Sequence, residues 1–261
     1  MVESKRERDT EQGAEEEAAA REAAEFAVEL SESARPQDRR RVAGALSRVR
    51  RSAARGSLAR QGAAKAGRAF SSTVNWLTGQ ALAMGPRLRI RGQDTLREQF
   101  PGRTDDQIAD LLIEGAARAA AAVGGATGAW SALPALPAFP AEIAAETLAV
   151  TGIEIKLVAE LHEAYGMPAP GGASERARAY IASWAHRRGV YLVPGGLLLV
   201  AGTPLAGQVR RRLAARVRRS TVSLAPLFVG AVAGAMINRR ETRNLGNQIR
   251  DDLRRAVIQN R

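Results

Sequence analysis

Carboxylates and two histidines are the residues whose spacing invites chemistry. Glu142 and Glu146 stand one helical turn apart, and Glu154, Glu160, His162 and Glu163 follow on what reads as the same helix. Carboxylates and a histidine projecting from helices can ligate a metal inside a bundle, as in di-iron proteins. Those sites need Glu-x-x-His pairs from two helices. This chain has no Glu-x-x-His, and its histidines are His162 and His186 alone. The spacing therefore predicts surface or capping charge, with no metal and no cofactor. Trp184, His186 and Arg187 also invite a ligand, but a packed tryptophan and a cationic helix end account for them.

Nucleophilic chemistry finds no better footing. The chain contains no cysteine, which excludes a thiolate nucleophile, a thiolate zinc site and a disulfide framework. There is no G-x-S-x-G, and GTPLAG and GGASE lack the strand-to-helix setting of a nucleophile elbow. Lys65 and Lys156 lie in no GxxxxGK[ST] phosphate loop. With no catalytic constellation, the chain is expected not to be an enzyme. The glycines read instead as helix-packing positions, with Gly124, Gly128, Gly230 and Gly234 as sites of close backbone approach.

The elements that would hold these residues are helical. Residues 119–166 read as two apolar helices joined by a corner carrying Pro134, Pro137 and Pro140. Pro140 suits the first position of the second helix, and Gly166 followed by Pro168 suits its end. Upstream, Thr104 and Gln107 make a capping box, and Ile108, Leu111, Leu112, Gly115 and Ala119 form the stripe behind it. Downstream, Ser174 is placed to cap a helix that Gly189 terminates, with Ala177, Ile181 and Trp184 on one face. The C-terminal run is amphipathic through Leu245, Ile249, Leu253 and Ala256. Aromatics are 4% of the residues, alanine is abundant and no βαβ alternation is visible. The predicted class is all-α: a compact helical bundle at 69–261 built around a glycine-rich apolar hairpin, preceded by a flexible charged arm at 1–68.

Charge is the remaining signal. The net charge of +12 is unevenly spread, with residues 1–34 acidic and residues 35–68 strongly basic. Arg39, Arg40, Arg41, Arg48, Arg50 and Arg51 are the candidate anionic-surface contacts, and Val42, Leu46 and Val49 fall near one helical face beside them. A basic amphipathic segment suits anionic lipid or phosphate backbones, though no aromatic is interleaved for base stacking. The uncharged stretches 69–86, 119–141, 189–209 and 220–238 approach the ~20 residues needed to cross a bilayer. Prolines and glycines interrupt them, so a soluble or peripheral bundle is expected, with shallow insertion left open. MVESKRERDTEQ has no apolar signal-peptide core, and a cytoplasmic setting is expected.

Three runs carry a family resemblance: GGATGAWSALPALPAFPAEI, ELHEAYG and SLAPLFVGAVAGAMINRRETRNLGNQIRDDLRR. Together they resemble the EcsC family of bacteria, in which a glycine-rich helix precedes a proline corner and a long helix ends in a YG pair. A late Pro-x-x-Gly-Ala-x-x-Gly-Ala-x-x-Asn run follows in that family. It is matched at Pro226, Gly230, Ala231, Gly234, Ala235 and Asn238, with one residue inserted after the proline. The resemblance covers roughly residues 70–258. It implies a helical, membrane-associated protein and transfers no catalytic residue. The Ala- and Arg-rich composition points to a high-GC bacterial source. Three functions stay open: a structural or regulatory protein on an anionic membrane surface or a membrane protein, a nucleic-acid-binding protein using the basic arm, and a small-ligand carrier or enzyme with a cavity by the glycine-rich hairpin.

Overall fold

Helix ends in this chain are set by short-range chemistry. A computed structural model describes residues 22, 84–130, 139–193, 196–199 and 227–259. A 3-10 turn (Gly85–Arg87) leads into α1 (Gln93–Gln99) and then α2 (Asp105–Trp130). Thr104 Oγ1 accepts from the Gln107 N–H (3.3 Å) and Gln107 Oε1 accepts from the Thr104 N–H (3.1 Å), the reciprocal box expected there. α3 (Phe139–Ala164) begins one residue ahead of the expectation, so Pro140 occupies its second position. No intrahelical bond is lost, because that N–H would be an orphan anyway.

α3 ends in a left-handed glycine. Gly166 has φ +65°, its N–H bonds to Glu163 O (3.0 Å), and the Met167 N–H bonds to His162 O (2.9 Å). These are the two bonds of a Schellman motif. α4 (Ala173–Arg188) starts earlier than expected. Ser174 falls inside the first turn, while Glu175 Oε2 reaches back to the Gly172 N–H (2.8 Å). Gly189, at φ +66°, closes it as foreseen.

Immediately after comes an antiparallel hairpin, β1 (Val190–Val193) with β2 (Gly196–Leu199), in register from Val190↔Leu199 to Val193↔Gly196. Val190, Tyr191 and Val193 are strand formers that helix-biased reading passed over. The fold class is all-α, and this hairpin is its one departure among the described residues. α5 (Leu227–Gln259) is a single helix of 33 residues that unites the late uncharged stretch with the amphipathic tail.

α2 and α5 run antiparallel along their length, with Gly124 against Gly234, Ile113 against Gly246, and Asp106 paired to Arg254. α3 packs against both and against α1 and α4. Every α3 residue from 146 to 161 is buried, so this helix is enclosed on all sides. An enclosed helix has no solvent stripe, and its apolar side chains (Ile153, Leu157, Leu161) are joined by polar ones. Leu245, Ile249 and Leu253 cover it from α5, and Tyr180, Ile181 and Trp184 from α4. Among the described residues no helix is long and apolar enough to cross a membrane.

Candidate functional site

The described carboxylates of α3 are not surface charge; the surroundings of Glu142 lie outside the described residues. Glu146, Glu154, Glu160 and Glu163 are all buried, as is Lys156, and this corrects the expectation drawn from their spacing. The reason is that their partners come from other helices. Glu154, 2% exposed, accepts from Trp184 Nε1 (2.9 Å), Arg188 Nε (2.9 Å) and Thr242 Oγ1 (3.0 Å), and from a second nitrogen of Arg188. Four donors saturate one carboxylate, joining α3, α4 and α5 at a single point. Arg188 also reaches the Glu241 carboxylate and carbonyl (3.4 Å each). Burial alone would depress the Arg188 pKa, but the charges and hydrogen bonds of Glu154 and Glu241 raise it instead. A group so enclosed and so satisfied is built to hold helices together.

Two further contacts extend this axis. Asn238 Nδ2 donates to Glu146 Oε1 (3.1 Å) near the start of α3. Near its end, the Tyr180 hydroxyl donates to Glu163 Oε1 (3.2 Å) and accepts from the Ala169 N–H (3.1 Å). His162 keeps to structural company as well. Its Nδ1 lies 2.7 Å from Val158 O and its ring packs on Tyr180 at 5.5 Å. Burial lowers its pKa, against smaller opposing effects of the Val158 carbonyl and Glu163. His186 is exposed, and among the described residues no group of three His, Asp or Glu side chains is arranged to hold a metal.

One charged cluster differs because it faces a cavity. Glu160 Oε1 accepts from Lys156 Nζ (2.5 Å), Arg91 Nε (2.8 Å) and the Arg91 N–H (3.2 Å), while Oε2 accepts from an Arg91 terminal nitrogen (2.5 Å). Lys156 donates onward to the Arg89 carbonyl, and Arg91 to Gln99 Oε1 (2.7 Å). These side chains form the polar end of a cleft of about 180 Å³ among α1, α2 and α3. Phe100, Leu111, Leu112 and Ile153 supply apolar wall, and Arg118 stands with them in the lining. The cleft adjoins the N-terminal half of α2, away from the glycines beside which a cavity was expected.

The surface of α5 offers a second feature. Val232 and Met236 are 56% and 66% exposed, one turn apart, and Arg240 follows one turn later on the same row. Ile237 and Arg239 flank them, both in part exposed.

Of the expected packing glycines, Gly124 and Gly234 meet backbone to backbone. A Cβ on either would collide with the carbonyl of the other. Gly128 lies in α2 and Gly230 in α5, but their surroundings fall outside the described residues. Arg39, Arg40, Arg41, Arg48, Arg50 and Arg51 fall outside them too. The residues that spacing missed are Arg91, Lys156, Arg188 and Thr242. One signal for the lysine and its neighbours was present: Glu154, Lys156 and Glu160 interrupt an otherwise apolar run, GIEIKLVAEL, that has no polar face.

Fold and side-chain geometry together define an all-α bundle threaded by a buried ionic axis. Compared with protein-family models, with curated proteins and with solved structures, the chain finds no match.

Proposed function

We propose that this is a non-enzymatic, EcsC-like helical protein with a structural or regulatory role, docking reversibly on an anionic membrane surface from the cytoplasmic side. The observation that carries the reading is the exposed row Val232–Met236–Arg240 on α5. Scattered exposed apolar residues are ordinary on a protein surface. A row of them running into arginines is different, because it matches the layered chemistry of a bilayer interface. Valine and methionine insert at the acyl boundary while the guanidinium stays among headgroups. Each cation near an anionic leaflet adds about 1 kcal/mol of attraction, and the chain's net charge is +12. The basic run with Arg39–Arg41, Arg48, Arg50 and Arg51 supplies a second contact of the same sign.

Flotation with vesicles tests this. The full chain should float with vesicles of phosphatidylcholine and phosphatidylglycerol and stay behind with phosphatidylcholine alone. Val232→Glu with Met236→Glu should remove most binding without lowering Tm, since both side chains are exposed. Salt should reverse binding only in part, because the apolar contribution is unscreened. A protein that ignores anionic vesicles at low salt but shifts a DNA duplex at physiological salt would overturn the membrane reading in favour of nucleic acid.

A further inference from the structure

We propose that the cleft among α1, α2 and α3 binds a small organic carboxylate bearing a short apolar chain. Charge is the first observation. The lining holds Arg91, Arg118 and Lys156 against one carboxylate, Glu160. Glu160 directs both its oxygens to Arg91 and Lys156, so it neither faces nor neutralises Arg118. Arg118 Nε donates to the Glu114 carbonyl (3.3 Å) and lies 4.0 Å from the Glu114 carboxylate, which is shared with Arg239 and Arg243. An anion entering the cleft meets a lining of net positive charge, in which Glu160 holds Arg91 and Lys156 in place. In such a half-enclosed setting, charge-assisted hydrogen bonds are stronger than at open surface.

Shape and wall chemistry narrow the ligand class. At about 180 Å³ the cleft is smaller than the roughly 300–1,000 Å³ typical of drug-sized ligands, which favours a small ligand over a nucleotide. Leu111 is 41% exposed at this cleft, and Phe100 and Leu112 continue its apolar wall. Covering them with a short alkyl chain removes apolar surface from water. A bare inorganic anion would leave that wall wet. A neutral alcohol would leave the surplus positive charge of the lining uncompensated. A monocarboxylate with several methylenes satisfies both ends.

The proposal stands apart from membrane docking, since its residues lie on α1–α3 and the docking row lies on α5. Titration calorimetry on the full chain, with hexanoate, hexanol and inorganic phosphate as probes, tests it. Hexanoate should bind saturably, with hexanol and phosphate each at least tenfold weaker. Arg118→Gln removes an exposed charge whose contacts are to Glu114 on its own helix. It should leave Tm unchanged and weaken hexanoate by about tenfold or more, the loss of one charge-assisted contact. Leu111→Asp should weaken it as well. Absence of saturable hexanoate binding, equal binding of hexanol, or equal affinity in Arg118→Gln would each overturn the proposal. Phosphatidylglycerol vesicles should not displace hexanoate; displacement would give the cleft to a lipid headgroup and overturn the assignment to a free carboxylate.

Discussion

The same residue types, arginine against carboxylate, are used at two depths in this bundle. At the centre, Arg188 and Glu154 are 4% and 2% exposed and joined by Trp184 and Thr242. Along the surface seam of α2 and α5, Glu114 meets Arg239 and Arg243, Asp110 meets Arg250, and Asp106 meets Arg254. The central pair is buried and multiply bonded, so loss of either member alone should be costly. The seam is wet and repetitive. Its carboxylates descend α2 as its arginines ascend α5, so the charges favour the antiparallel direction and one register. Depth decides what an ion pair does: the buried one makes the fold intolerant of change, and the exposed ones bias alignment at small energetic effect.

The largest effect is expected at the centre. Glu154→Ala leaves the Arg188 guanidinium buried without its main partner, which costs about 3–5 kcal/mol in comparable sites. Urea denaturation of the variant should show that loss as a lower midpoint. The double variant Glu154→Leu with Arg188→Met should recover much of it, since an apolar pair of similar volume needs no charge compensation. A single variant within 1 kcal/mol of wild type would mean that water reaches the pair and that the contrast in depth is false.

A smaller effect is expected where the two regions adjoin, at the glycine crossing of α2 and α5. Gly124→Leu should destabilise by roughly 1–3 kcal/mol, because the Gly234 backbone occupies the space a side chain needs. Thermal unfolding is the measurement, and an unchanged Tm would place the two helices further apart. Leucine at Val232, out on the exposed face of the same helix, provides the control that should change little.

What could be read in the sequence was local. The Thr104 box and the Gly166 and Gly189 caps depend on residues within one turn, and they stand where expected. Small residues at Gly124 and Gly234 marked close approach, although nothing in their spacing said that they approach each other. The α3 carboxylates were misread for a related reason. Glu154 takes its donors from residues 30, 34 and 88 positions away, so no window of helical periodicity contains its partners. A charge with its partner in view and a charge in water look alike in sequence, and helix-surface statistics favour water. The cleft was invisible on the same grounds, because Arg91 and Glu160 stand 69 residues apart.

The smallest effect belongs to the seam. Asp110→Asn removes one rung, and exposed pairs of this kind contribute about 0.2–1 kcal/mol. Glu114 sharpens the test, because it receives two arginines. Burial pushes its pKa up, but the hydrogen bonds and charges of Arg243 and Arg239 outweigh that and hold it below the ordinary carboxyl value. A carboxyl whose folded pKa is depressed adds stability above its unfolded pKa and loses it as pH falls through the folded one. Acid titration of stability should therefore show a contribution that disappears below about pH 4, the ordinary glutamate range, and that Glu114→Gln removes. High salt should shrink the same contribution, since these groups face water, while leaving the effect of Glu154→Ala nearly intact. If salt weakened both equally, the two depths would not differ in screening, and the central pair would have to be counted with the seam.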